Sequence, residues 1–193
     1  LPLAVEFGKK YNTIGYDISV NKINSYKDFI DPNGELSKKE FTSSKYLKFS
    51  SNPNNLKFSD FFVICVPTPV NKHKIPNLSS LKKASRIVSK YIQKGSTVIF
   101  EPTVYPGATE EVCIPILEKT SDLRLNKDFF VGYSPERVNP GDKSHNIKSI
   151  TKVIAASNPE SLLKIQTIYE SIVTAGVHCA PSIKVAEAAK VIE

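Results

Sequence analysis

Short, continuous apolar runs alternate along the chain with stretches whose apolar residues recur every three or four positions. The first pattern predicts buried strands and the second amphipathic helices. Strands are expected at Thr13–Ile18, Phe61–Val66, Ser96–Glu101, Phe129–Tyr133, Lys152–Ala156 and Val173–His178. Helices are expected at Leu1–Tyr11, Val20–Phe29, Leu78–Gln93, Gly107–Lys119, Pro159–Ser171 and Ser182–Glu193. Leu81, Ala84, Ile87, Val88, Tyr91 and Ile92 share one side of the third of these, and Gly95 reads as its stop. Ser157 or Asn158 is placed to cap the fifth, with Pro159 at its first position. Pro67-Thr68-Pro69 ends a strand abruptly, and Asp31, Asn33 and Gly34 mark a turn. Two connections, 30–60 and 134–150, read as long loops of the kind that often carry function. The alternation of strand and helix predicts an α/β fold built on a parallel sheet.

Composition narrows the class. The chain has 193 residues, 40% hydrophobic and 23% charged, enough for one α/β domain and unlike a disordered segment. No apolar run approaches the roughly 20 residues of a membrane span. The net charge of +7 comes mostly from scattered lysines, such as Lys38, Lys39, Lys82 and Lys83, with no arginine stripe or interleaved aromatics. That pattern reads as a solvated surface or an anionic ligand, and not as a nucleic-acid face. Cys65, Cys113 and Cys179 are far apart and lack metal-ligand spacing. Cys65 and Cys113 are expected in the core, and a reducing, cytoplasmic compartment is implied.

Four constellations carry chemistry. Asp17 follows a strand in Gly15-Tyr16-Asp17-Ile18, where a carboxylate accepts hydrogen bonds from the adenosine ribose of a bound dinucleotide; an Asp ending a strand is also an ordinary turn or cap residue. Glu101–Glu111 takes a buried strand into a polar turn and a helix, so the Thr103 hydroxyl is placed to hold a water or substrate oxygen. Glu110 and Glu111 there read as helix-start residues. Tyr133–Gly141 opens a strand into a loop with Glu136 beside Arg137. Glu136 suits proton transfer and Arg137 a phosphate, or the two form a surface pair of little energetic weight. Lys190, in Ala186-Glu187-Ala188-Ala189-Lys190, suits an oxyanion, or is a solvated residue on a good helix former.

Together, residues 1–8, 15–18, 66–69 (VPTP), 103–113 (TVYPGATEEVC), 129–143 (FFVGYSPERVNPGDK) and 182–193 (SIKVAEAAKVIE) resemble the UDP-glucose/GDP-mannose dehydrogenase family. Within it they look most like the branch oxidising UDP-N-acetylhexosamines for bacterial surface polysaccharides, the Vi-polysaccharide type of UDP-N-acetylglucosamine 6-dehydrogenase. The resemblance implies a Rossmann-type parallel sheet with helices on both faces, NAD as cofactor and a UDP-sugar as substrate. It implies a four-electron oxidation: the C6 alcohol loses a hydride, the aldehyde is trapped on a cysteine, a second hydride leaves, and water releases a uronic acid. By position, Asp17 would hold the adenosine ribose and Thr68 would lie by the cofactor. Thr103 would position the hydrolytic water near the nicotinamide. Glu136 would assist proton transfer, Arg137 would meet the substrate and Lys190 would stabilise the oxyanion.

The resemblance also implies an NAD-binding domain over 1–181 and the start of a central dimerisation helix over 182–193, hence a homodimer of the full-length protein. The first strand and its glycine loop would precede Leu1. The nucleophilic cysteine, matched by none of the three present, and the UDP-binding domain would follow Glu193. The 193 residues alone are therefore expected to be inactive. Pro102 stands where the family has Ser, removing an amide donor. Pro140 stands where UDP-glucose enzymes carry a second carboxylate, which favours the acetylhexosamine or mannose branch. UDP-glucose or GDP-mannose oxidation, a hydroxyacid dehydrogenase and a non-catalytic NAD-binding module are the competing readings.

Overall fold

The expected strands form with three to five residues each; the one at Lys152–Ala156 keeps its expected bounds, and the others are shorter than expected. The computed structural model describes residues 1–73, 75–136 and 149–192. They fall into two compact units, residues 1–57 and residues 58–136 with 150–192.

The smaller unit contains α1 (Pro2–Gly8), β1 (Thr13–Tyr16), α2 (Val20–Lys27), α3 (Lys38–Ser43) and β2 (Leu47–Ser50). β1 and β2 pair in parallel, from Thr13 opposite Leu47 to Tyr16 opposite Ser50. Ser19 caps α2 by accepting the Lys22 N–H. Ser37 and Glu40 form a capping box at the start of α3. Ile23, Tyr26 and Phe41 form the apolar centre, with Leu1, Leu36 and Phe49 packed against it. The segment expected as a loop over 30–60 thus holds a helix, a strand and the 3-10 turn Pro53–Phe58. β2 was missed because its alternating stretch, Leu47-Lys48-Phe49-Ser50, is only four residues long, the shortest that signals a half-buried strand.

The larger unit contains β3 (Phe61–Ile64), α4 (Ser79–Val88), β4 (Thr97–Phe100), α5 (Ile114–Ser121), β5 (Phe130–Tyr133), β6 (Lys152–Ala156), α6 (Pro159–Glu170), β7 (Val177–Cys179) and α7 (Ile183–Ile192). Its sheet runs β3-β4-β5-β6-β7. All neighbouring pairs are parallel except β5 and β6. A parallel connection needs a crossover segment, usually a helix, and residues 134–151 carry no helical periodicity. β4 and β5 are buried along their whole length. Asn158 caps α6 by accepting the Ser161 N–H, with Pro159 in the first turn. Gly95 lies beyond the end of α4, and its N–H donates to the Asp128 carbonyl just before β4, so it serves the strand and not the helix.

The helix expected from Gly107 opens as a π turn, Thr109–Cys113, before α5. Pro115 has no N–H to give the Glu111 carbonyl, and its ring crowds that position. The Ile114 N–H bonds instead to Thr109, five residues back. Among the described residues no helix is long and apolar enough to cross a membrane.

Candidate active site

In the larger unit Thr68, Thr103 and Glu136 follow the carboxyl ends of β3, β4 and β5, the usual ligand edge of an open α/β sheet. Pro67 and Pro69 cannot donate to a ladder, so the chain leaves the sheet after β3. The Thr68 hydroxyl then donates to the Thr103 carbonyl on the loop after β4, at 2.5 Å. Thr103 itself is exposed. Pro102 is buried, and its carbonyl accepts the Tyr133 hydroxyl at 3.0 Å. The loop carrying Thr103 is thus held from β5 and from the loop after β3.

Beneath it lies a buried charged cluster that the sequence reading missed. Glu101 and Lys152 are 1% and 3% exposed. Glu101 Oε1 lies 3.0 Å from Lys152 Nζ and accepts the Tyr169 hydroxyl at 2.6 Å. Burial pushes the Glu101 carboxyl up from its ordinary range; Lys152 opposes that shift and Glu136 adds to it. Burial and the neighbouring Glu101 charge push the Tyr169 hydroxyl well up. The visible signal was a charge flanking each of two apolar strands, Glu101 after Thr97–Phe100 and Lys152 opening β6.

Glu136 hangs from this cluster. Its N–H donates to the Glu101 carbonyl at 3.3 Å, and the carbonyl of the preceding Pro135 accepts Lys152 Nζ at 3.2 Å. Arg137, the expected substrate contact, and Pro140 lie outside the described residues.

Lys190 sits on α7, half-buried, with no hydrogen bond or ion pair among the described residues. Ile183, Glu187 and Lys190 follow i, i+4, i+7 spacing and share one helix face. Glu187, passed over by the sequence reading, is fully buried. Its carboxylate accepts the N–H groups of Gly107 at 2.5 Å and Thr109 at 2.9 Å.

Asp17 belongs to the smaller unit. It follows β1, and its Oδ1 accepts the Ser19 N–H at 2.8 Å, while Oδ2 is 3.9 Å from Lys22 Nζ. The side chain remains 34% exposed. One oxygen thus orders the start of α2 and the other faces an exposed lysine, leaving acceptor capacity for a ribose hydroxyl.

Cys113 is buried, as expected, and burial pushes its thiol up to about 12. Cys65 is exposed as a residue, but its Sγ points inward, 3.9 Å from Oε2 of the buried Glu101, and burial pushes its thiol up. Cys179 is half-buried, with Sγ 3.6 Å from Gln166 Oε1.

Residues 1–173 match the NAD binding domain model of the UDP-glucose/GDP-mannose dehydrogenase family. The chain belongs to that family. It is 52% identical over 193 residues to a UDP-N-acetyl-D-glucosamine 6-dehydrogenase of Pseudomonas aeruginosa, covering all of this chain and 46% of that protein. It is 47% identical over the same length to a UDP-N-acetyl-D-glucosamine 6-dehydrogenase of Salmonella typhi, covering 45% of it. The chain therefore spans about half the length of the curated relatives it matches. Among solved structures, UDP-D-ManNAc dehydrogenase from Pyrococcus horikoshii is similar with a TM-score of 0.88 at 31% identity, over 99% of this chain and 46% of that one. GDP-mannose dehydrogenase from Pseudomonas aeruginosa shares the fold, with a TM-score of 0.90 at 24% identity, over 98% of this chain and 45% of that one. The expected α/β architecture, with a largely parallel sheet and flanking helices, is thus the one found in solved dehydrogenases of this family.

Proposed function

We propose that these 193 residues are the cofactor-binding part of a longer NAD-dependent nucleotide-sugar 6-dehydrogenase. Its reaction is the four-electron oxidation of the C6 alcohol of a UDP-N-acetylhexosamine to a uronic acid, for surface polysaccharide synthesis. The observation that supports this reading is the Thr68–Thr103 link, which ties two polar loops together at the carboxyl ends of adjacent parallel strands. NAD, when bound, supplies the hydride acceptor. Asp17 holds a ribose hydroxyl, and Thr68 fixes the backbone of Thr103. The exposed Thr103 hydroxyl orients the water that releases the acid. Glu136 moves the proton, with Arg137 on the substrate. Lys190 stabilises negative charge at the C6 oxygen. Residues 1–181 make the NAD-binding domain, and residues 182–193 start the helix through which two copies of the full-length enzyme pair. The enzyme works in the cytoplasm, with neither nucleic acid nor membrane as partner.

The test is to express the full-length protein and supply NAD with UDP-N-acetylglucosamine, UDP-N-acetylgalactosamine, UDP-N-acetylmannosamine, UDP-glucose or GDP-mannose in turn. Two NADH per sugar with an acetylhexosamine is the expected result. Turnover of UDP-glucose or GDP-mannose alone overturns the substrate class. NAD binding without turnover of any of them replaces the enzyme with a binding module.

A further inference from the structure

We infer that Glu187 is a positioning residue: its buried carboxylate locks the Thr103 loop and the helix bearing Lys190 into one register. This rests on the dehydrogenase reading above. Glu187 receives the Gly107 and Thr109 amides from 80 and 78 residues away in the chain. Charge-assisted bonds of this kind are strong where water is excluded. Both amides open the helical segment after β4, an end that favours negative charge. Amides at such an end often hold a ligand's phosphate; here the protein's own carboxylate occupies them. They are thus an internal lock, and a phosphate of cofactor or substrate is held elsewhere.

The local sequence fits that role. Gly107 adopts φ +99°, a conformation that L side chains rarely take, and a Cβ there would lie 2.7 Å from Glu111 Oε1. Thr103 lies four residues upstream of Gly107, on a segment already held at Pro102 and at its own carbonyl. Glu187 closes that segment's free end. Lys190 is three residues past Glu187, on the same face of α7. Lys184 also spans α7 and the π turn, at 3.8 Å from both Glu110 and Glu111, but its side chain is 55% exposed. Such exposed pairs contribute little, so the register depends on Glu187.

The experiment uses the full-length enzyme with NAD and its best nucleotide sugar. In Glu187→Gln the carboxamide keeps one acceptor for the two amides and turns an NH2 toward the other. Misplacement of reacting groups is costly, so kcat is expected to fall about 100-fold, with KM for both substrates within about threefold. Lys184→Gln, which removes the exposed bridge, leaves kcat within about twofold. Thr103→Ala combined with Glu187→Gln loses much less than the product of the single losses, because one acts through the other. An unchanged kcat per folded molecule in Glu187→Gln, or losses that simply multiply, overturns the inference. Should Glu187→Gln fail to fold, Glu187→Asp decides: its shorter arm keeps the charge but not both bonds, and wild-type kcat there overturns the inference as well. Absence of turnover by the unsubstituted enzyme sinks the dehydrogenase reading itself; turnover that survives Glu187→Gln sinks only the lock.

Discussion

Lys152 Nζ and Glu101 Oε1 meet 3.0 Å apart with both side chains almost wholly out of water. Tyr169, the Pro135 carbonyl and the Cys65 thiol join the cluster. Breaking a buried pair from one side leaves an uncompensated charge, which costs about 3–5 kcal/mol. Lys152→Met is therefore expected to lower the melting temperature of the full-length protein by several degrees. Lys152→Met with Glu101→Gln removes both charges and recovers part of that loss. Calorimetry checks both, and a single variant as stable as wild type would contradict the pairing.

The same cluster carries a pH dependence. The folded carboxyl of Glu101 is raised above its ordinary value of 4.5, first by burial, with Lys152 opposing and Glu136 adding. A carboxyl raised in the folded state binds its proton more tightly there than in the unfolded chain. Its stabilising contribution is then complete below about 4.5 and falls as pH rises toward the folded value. Subtracting the stability–pH curve of Glu101→Gln from that of wild type isolates this contribution. A difference that grows in favour of wild type as pH rises above 4.5 would reverse the assigned direction.

Gly132, in the middle of β5, is set by close packing. A Cβ there would overlap Ile165 Cδ1 of α6 and lie 3.0 Å from the Ala155 carbonyl. Overpacking of this kind costs about 1–3 kcal/mol. Gly132→Ala is expected to lower the melting temperature, and adding Ile165→Val, which removes the overlapping methyl, to restore part of it. If the second change brings no recovery, the helix is not what excludes the methyl.

How much of this was legible follows from what each residue needs. Thr103 and Glu136 stood out because apolar runs give way there to polar residues, a local signal, whereas Thr68 came only with the family resemblance. Asp17 stood out in the same way. Glu187 did not: among alanines it looks like a good helix former, and its partners lie about eighty residues away. The Glu101–Lys152–Tyr169 cluster is equally non-local, though charges bordering buried strands announced that something must neutralise them. β2 escaped because its alternation spans only four residues, and the π turn because the period of a helix says nothing about one missing amide at Pro115. The direction of β6 was within reach, since the sequence of residues 134–150 reads as a loop, without the period of a helix.

Asp17 separates a structural from a binding role in one substitution. Asp17→Asn keeps a side-chain oxygen for the Ser19 N–H, so the start of α2 survives. It removes the charge that strengthens a bond to a ribose hydroxyl. Hydrogen bonds to charged groups contribute about 1.5–3 kcal/mol, so the Kd for NAD is expected to rise about 10- to 100-fold. Calorimetric titration of the full-length protein measures it. An unchanged Kd would leave Asp17 as the helix-ordering residue alone.

The Thr68–Thr103 link makes the sharpest demand on side-chain chemistry. Thr68 gives its hydroxyl proton to the Thr103 carbonyl, so what it orders is backbone. Thr68→Ser retains the donor and is expected to keep kcat within about threefold of wild type. Thr68→Val has nearly the same shape but no donor, and it frees the Thr103 carbonyl from the loop after β3. Its kcat is expected to fall about 10- to 100-fold, since small displacements of reacting groups are costly. Thr103→Val removes that residue's own hydroxyl and should stall the enzyme at the step needing water, after both hydrides have left, giving a burst of two NADH per active site and little further turnover. Steady-state rates and NADH stoichiometry on the full-length enzyme distinguish the two. Should Thr68→Val and Thr68→Ser behave alike, the hydroxyl of Thr68 is not what orders the loop, and shape alone keeps Thr103 in place.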